Sequence, residues 1–245
     1  MERVTLDGQD FEYEIHGEGS PVLAVRNVAA PAGSWPTPGD IAALQRCGHA
    51  LVSYRHLGTT DTIEGIARDT ARLLEHLELE QVALWGWSQG AMTAQELALA
   101  RPDLVRCAVM MATRGRLSAY DRVRYAIEAS DVPRDAATLH AILQNHPADS
   151  LCDDERFERL WAGFSEAMGP SPLGERAGRA GAAYGDRLDA LGDVRVPSMV
   201  IAFSHDVNIP PVLNREVADA IPDCTYVEIQ GAGHAGGITH RGEVR

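Results

Sequence analysis

A chain of 245 residues with 45% hydrophobic and 23% charged residues has the make-up of one globular domain, or of one domain carrying a substantial insertion. Its formal net charge of -13 at pH 7 argues against a nucleic-acid partner, whose backbone needs clustered cations to displace counterions. All 22 cations are arginine, which excludes lysine Schiff-base chemistry and a phosphate-cradling P-loop lysine.

Two short strands are predicted at 4–6 and 11–15, joined by the hairpin signal Asp7-Gly8. From Pro21 onward short apolar strands alternate with helical periodicity, the pattern of a parallel sheet covered on both faces. These strands fall at 22–25, 50–54, 82–85, 105–111, 198–203 and 225–229. Helices are predicted at 63–77, where Ile63, Ile66, Thr70, Leu73, Leu74 and Leu77 share a face, and at 89–100, stopping before Pro102.

The alternation breaks after Met111. Residues 112–195 carry helical periodicity and no convincing strand, with Phe157, Leu160, Trp161, Phe164 and Met168 spaced as one apolar face. The Gly-, Ala- and Pro-rich stretch 171–183 fits no element clearly. We therefore expect a core made of 1–112 and 194–245, with 113–193 as a helical cap over the sheet's C-terminal edge, where open α/β sheets bind ligands.

Four cysteines, Cys47, Cys107, Cys152 and Cys224, show neither a CxxC pair nor ligand-like spacing to histidine, which argues against zinc and against a disulfide framework. No run of about 18 apolar residues occurs and the first residues lack the apolar core of a secretory signal. The expectation is a cytoplasmic protein with no membrane contact.

Gly86-Trp87-Ser88-Gln89-Gly90 lies between a predicted strand and a predicted helix. A Gly-x-Ser-x-Gly pentapeptide alone is weak, since serines in turns are commonly structural, but this setting is that of a nucleophile elbow. A sharp strand-to-helix turn crowds the neighbours of Ser88, which gives Gly86 and Gly90 a steric reason. Gln89 would open the helix with its backbone N–H aimed at a developing oxyanion.

A serine nucleophile needs a base and a group to orient that base. Asp206 follows strand 198–203 and His234 follows strand 225–229, so all three side chains can converge on one rim. Asp206 could instead be an ordinary turn or capping aspartate. Asp193 and Asp223 precede strands and would sit at the wrong edge. His205 adjoins Asp206 too closely to be its partner, and the remaining histidines lack strand-end placement, His56 being the least settled among them.

The chain resembles the α/β-hydrolase superfamily over nearly its whole length, through Gly86–Gly90, Ser204-His205-Asp206-Val207-Asn208-Ile209-Pro210 and Gly231-Ala232-Gly233-His234. It looks most like bacterial esterases and tailoring hydrolases related to aclacinomycin methylesterase. The resemblance implies an eight-stranded, mostly parallel sheet, helices on both faces, a helical cap after the sixth strand, and serine attack on an ester, thioester or amide carbonyl with no cofactor.

Four departures from the family pattern stand out. Arg26-Asn27-Val28-Ala29 replaces the frequent His-Gly after the third strand, leaving a backbone N–H near Val28 to complete the oxyanion hole and Arg26 for a salt bridge or an acidic substrate. Of the usual Asp-x-Arg-Gly-x-Gly-x-Ser pattern, Tyr54–Asp61 retains only Gly58 cleanly. Phe203 stands where glycine is frequent. The sequence runs only to Arg245, with no long terminal helix after His234, so either the chain is trimmed or another element covers that face of the sheet, a second subunit of a homo-oligomer being one candidate.

Trp35, Trp87, Met111, Trp161 and Phe164, together with Met92, Tyr120, Tyr125 and Met168, are candidates for a greasy pocket, although more than half should simply pack the core. The leading expectation is hydrolysis of an ester or thioester of a small apolar or aromatic molecule by Ser88, His234 and Asp206. Alternatives are an acyl-transferring or cyclising enzyme of specialised metabolism, a peroxide-dependent haloperoxidase-type activity, and a small-molecule binding protein without turnover.

Overall fold

Asp7 and Gly8 both have positive φ, 47° and 77°, the conformation of a tight two-residue hairpin. They join β1 (Glu2–Leu6) to β2 (Gln9–His16). The computed structural model describes residues 1–31, 33–167, 169 and 171–244. The other strands are β3 (Ser20–Val25), β4 (His49–His56), β5 (Val82–Trp87), β6 (Val105–Met111), β7 (Ser198–Phe203) and β8 (Cys224–Ile229), and every one was expected from the apolar runs.

They form one eight-stranded sheet in the order β1-β2-β4-β3-β5-β6-β7-β8. β1 and β2 pair antiparallel, as do β2 and β4; the rest is parallel. β5 lies mid-sheet, with β3 on one flank and β6, β7 and β8 on the other. The C-terminal ends of β3, β5, β7 and β8 therefore share a rim.

Strand alternation divides the core. Leu23, Val25, Val52, Leu84 and Val200 pack in one cluster with residues of α2 (Ile63–His76), α3 (Gln89–Ala100) and α9 (Pro211–Ala220). Val22, Ala24, Leu51, Ile201 and Phe203 point the other way, against Ile41 and Leu44 of α1 (Pro38–Arg46). On that second face Ala83, Trp85, Val109 and Met199 are only partly buried and Val227 is exposed.

Between β6 and β7 the chain forms α4 (Ala119–Glu128), α5 (Arg134–Asn145), a 3₁₀ turn (Ala148–Leu151), α6 (Asp154–Ala167), α7 (Pro172–Ala183) and α8 (Leu188–Leu191). Helix α7 occupies the stretch that the sequence left unassigned. Ser171 caps it by accepting the Gly174 N–H at 3.2 Å, and Pro172 takes the first position, where a missing N–H costs nothing. Three of its small residues reflect close packing: Ala177 and Ala180 are buried with Val28, Ile63, Ile66 and Met92, and a Cβ on Gly181 would stand 2.3 Å from the Tyr125 hydroxyl.

The end of this segment packs with the sheet rather than above it. Leu191 of α8 joins the larger core cluster, and Arg187 makes a two-pronged ion pair with Glu96 of α3, at 2.8 Å on each arm. Two short helices, α10 (Gly236–Thr239) and α11 (Arg241–Val244), follow β8. Among the described residues no helix is long and apolar enough to cross a membrane.

Candidate active site

Ser88 sits at the turn between β5 and α3 with φ 57° and ψ -124°, a strained backbone for a residue with a Cβ. The turn is possible because its neighbours are bare. A Cβ on Gly90 would stand 2.0 Å from the Val25 carbonyl oxygen, and one on Gly86 would stand 2.7 Å from the Ala91 Cα. The Ser88 N–H donates to the Met111 carbonyl at 2.9 Å, tying the turn to β6.

The Ser88 hydroxyl lies 2.9 Å from His234 Nε2, and His234 Nδ1 lies 2.7 Å from Asp206 Oδ2. With Nδ1–H donating to the carboxylate, Nε2 carries the lone pair that accepts the Ser88 proton. The other carboxylate oxygen of Asp206 accepts the N–H groups of Asn208 and Ile209, at 2.8 and 2.9 Å. Asp206 and His234 are buried, at 3% and 6% exposure, so little water competes for these bonds. The loop bearing His234 is held from above, where the Ala235 N–H donates to the Asn145 carbonyl at the end of α5.

Two cavities open at this point. The smaller, about 420 Å³, lies among α4, α5 and α7 and is lined by Met92, Tyr125, Ile127 and Ala177 together with Arg124, Glu128, His140 and Gln144. In its polar wall Glu128 Oε1 accepts from Arg124 at 2.8 Å and from Gln144 at 2.9 Å. The larger, about 600 Å³, is walled by Trp35, Trp87, Leu160, Phe164 and Ile238 beside His234. Among the described residues three line both: Asn27, Ser88 and Asn208.

The expected pocket residues divide. Trp35, Trp87 and Phe164 line the larger cavity, and Met92 and Tyr125 the smaller. Met111 does not reach either, although it shares a sheet face with Trp87: it is fully buried in the cluster with Phe203 and covered by α10, where a Cβ on Gly237 would stand 3.5 Å from its Cε. Trp161 also lies outside both, because Leu160 and Phe164, four residues apart, form the cavity stripe of α6, whereas Trp161 pairs with Phe157 on the next stripe at a ring separation of 6.1 Å. Tyr120 is exposed, and Met168 falls outside the described residues.

The expected oxyanion donors also divide. The Gln89 N–H is at the first helical position and has no intrahelical acceptor. The Val28 N–H is not free: it donates to Gln89 Oε1 at 3.3 Å, while Gln89 Nε2 donates to the Ala177 carbonyl of α7 at 2.8 Å. Val28 lines neither cavity that opens at Ser88. Arg26 forms no salt bridge among the described residues; its guanidinium holds its own loop through the carbonyls of Ala30, at 2.7 Å, and Pro31. Burial, reinforced by the Arg55 charge, lowers its pKa.

His56 is structural. It is buried with Nε2 3.0 Å from Asp69 Oδ2, and Arg176 of α7 reaches its carbonyl. The polar wall was missed by sequence reasoning, although 124/128 and 140/144 are both four-residue polar pairs on amphipathic helices, a signal that could have drawn attention to them. Among the described residues no group of three or more His, Cys, Asp or Glu side chains is placed to hold a metal ion.

A profile of the alpha/beta hydrolase fold family matches residues 33–241. The chain belongs to this family. A Mycobacterium tuberculosis protein named "Putative non-heme bromoperoxidase BpoC" is 34% identical over 93% of this chain and 91% of its own. Its crystal structure superimposes with a TM-score of 0.87, covering 100% of this chain and 94% of that one at 30% identity. A "Putative carbamate hydrolase RutD" from Azorhizobium caulinodans is 28% identical over 92% and 88% of the two chains. The enol-lactonase of Burkholderia xenovorans LB400 shares the fold at a TM-score of 0.81 and 22% identity, covering 99% and 96%. As a family member this α/β-hydrolase is an enzyme of the hydrolase class. The narrower resemblance to aclacinomycin methylesterase finds no counterpart among these three relatives.

Proposed function

We propose that this α/β-hydrolase cleaves an ester or thioester of a small apolar or aromatic molecule through an acyl-enzyme on Ser88. The observation that carries the reading is the unbroken hydrogen-bond chain from Ser88 through His234 to Asp206, with Ser88 open to two cavities. The Ser88 Oγ would bond to the carbonyl carbon as its proton passes to His234 Nε2 and the carbonyl π pair moves onto oxygen. Collapse would expel the leaving group, which takes that proton. Water, deprotonated by His234, would then release the acid.

Asp206 would hold His234 in the tautomer that accepts at Nε2 and stabilise the imidazolium. Residues 113–193 would serve as a cap whose helices set substrate shape, with one substituent of the carbonyl in each cavity. The apolar walls of the larger cavity favour an aromatic or aliphatic group.

The test is a fluorophosphonate and p-nitrophenyl ester panel read by mass spectrometry on wild type and Ser88→Ala. A Ser88 adduct in wild type alone supports the reading; neither adduct nor turnover in wild type sinks it. The bromoperoxidase name of the 34% identical relative favours a second reading, in which hydrogen peroxide, deprotonated by His234, replaces water and takes the acyl group as a peracid while Ser88 Oγ leaves and regains its proton. Bromide-dependent halogenation that needs both an acyl donor and Ser88 would select it.

A further inference from the structure

We infer that the Asn27 side-chain amide, rather than the Val28 backbone, supplies the second oxyanion donor of this site. The inference rests on Ser88 being the nucleophile and concerns how the charge it creates is held.

The sheet order defines where such a donor must lie. His234 and Asp206 follow β8 and β7, on one flank of β5, so the base reaches Ser88 from that side. The carbonyl oxygen must then face the opposite flank, beside the Gln89 N–H and the end of β3. Asn27 lies two residues beyond that end. It is also one of only three described residues that line both cavities, and therefore borders the place where a carbonyl with one substituent in each cavity would sit. Of the other two, Ser88 attacks and Asn208 lies on the flank of the base, following β7.

The orientation of the amide is chemically determined. Asn27 Oδ1 accepts the Ala29 N–H at 2.8 Å, and a donor can only be met by the oxygen of the amide. Nδ2 is thereby turned away from the turn, and it has no partner among the described residues. The same bond, with the Ala30 N–H donating to the Asn27 carbonyl at 3.0 Å, locks the turn that carries the side chain. Nδ2 is thus a positioned donor with no protein acceptor among the described residues, which leaves it available to a developing charge.

The usual candidate is occupied. The Val28 N–H is spent on Gln89 Oε1, and that amide is anchored through Nε2 to Ala177 of α7, so freeing it would cost two hydrogen bonds. A glycine at position 27 would offer no side-chain donor. The departure Asn27 and the engagement of Val28 are two halves of one arrangement.

Asn27→Asp keeps the acceptor for the Ala29 N–H, and hence the turn, while removing the donor; Asn27→Gly removes the donor without adding charge. With a p-nitrophenyl ester both should lose roughly 10²- to 10³-fold in kcat, with KM nearly unchanged. A phenylboronic acid, which forms a tetrahedral adduct on serine, should weaken by a similar factor, and thermal unfolding of Asn27→Asp, which keeps the turn acceptor, should move little. A purely structural Asn27 predicts the reverse, with Asn27→Asp retaining wild-type kcat and boronate affinity. Fluorophosphonate labelling of wild-type Ser88 separates the failures. Labelled Ser88 with wild-type kcat in both variants overturns the Asn27 assignment alone, whereas unlabelled Ser88 overturns the hydrolase reading and this assignment together.

Discussion

At the strand-end rim, position is set by the main chain: Ser88 is held at φ 57° between two glycines that admit no Cβ, and Asp206 is fixed by two backbone N–H groups. In the helices that stand over it, position is set by side chains. Helix α6 buries none of its residues among the described ones, and the polar wall of the smaller cavity is a web of side-chain contacts around Glu128. The rim tolerates no adjustment because each of its groups is over-determined. The helical wall can change its lining residue by residue without altering those main-chain contacts, and under the proposed function this would leave reaction chemistry to the first region and substrate choice to the second.

The hardest strike at the rim is Ser88→Ala, expected to reduce ester turnover by about 10⁶-fold without altering the fold, measured by steady-state kinetics and circular dichroism. Next comes Asp206→Asn, which can still accept the Asn208 and Ile209 N–H groups but presents the wrong partner to His234 Nδ1; a loss of about 10⁴-fold in kcat is expected. Retained turnover would move the acid elsewhere.

Below the rim, Gly236→Ala would drive a Cβ to 2.4 Å from the Phe203 ring. An overpacking cost of about 1–3 kcal/mol is expected, seen as a lower Tm and relieved when Phe203→Leu is added. In the wall, Phe164→Ala should raise KM for bulky aromatic esters severalfold and leave p-nitrophenyl acetate unchanged. A collapse of kcat for both substrates would erase the distinction between the two regions.

The smallest effect concerns the link between them. Burial lowers the pKa of His56, against the pull of Asp69 and with the help of Arg176 from α7. The unfolded chain then binds a proton that the folded one refuses, so stability should fall as pH drops below about 6.5. Thermal unfolding between pH 7.5 and 5 should show a shallower slope for His56→Gln than for wild type.

Legibility followed the same division. All eight strands and helices 63–77 and 89–100 could be read because apolar runs of period 2 and 3.6 are local. The strand-end placement of Ser88, Asp206 and His234 could be read because parallel topology carries such positions to one edge. Helix α7 could not, since its Gly and Ala residues have poor hydrophobic contrast, and Ala177 and Ala180 owe their burial to partners far along the chain, Ile63 and Met92 among them. Met111 and Trp161 looked like pocket residues by chemistry. One is buried beneath α10 and the other is turned aside by a quarter-turn of helix.

Sequence alone determined the architecture, the elbow and the identity of the residues that meet at the rim, because hydrophobic period and steric demand act over a few neighbours. Only the tertiary structure decided that the Val28 N–H is already spent on Gln89, that Asn27 borders both cavities, and that four polar side chains form one wall. Each of those is a contact between segments distant in the chain, and hydrogen-bond partners at such range are chosen by packing rather than by any local preference.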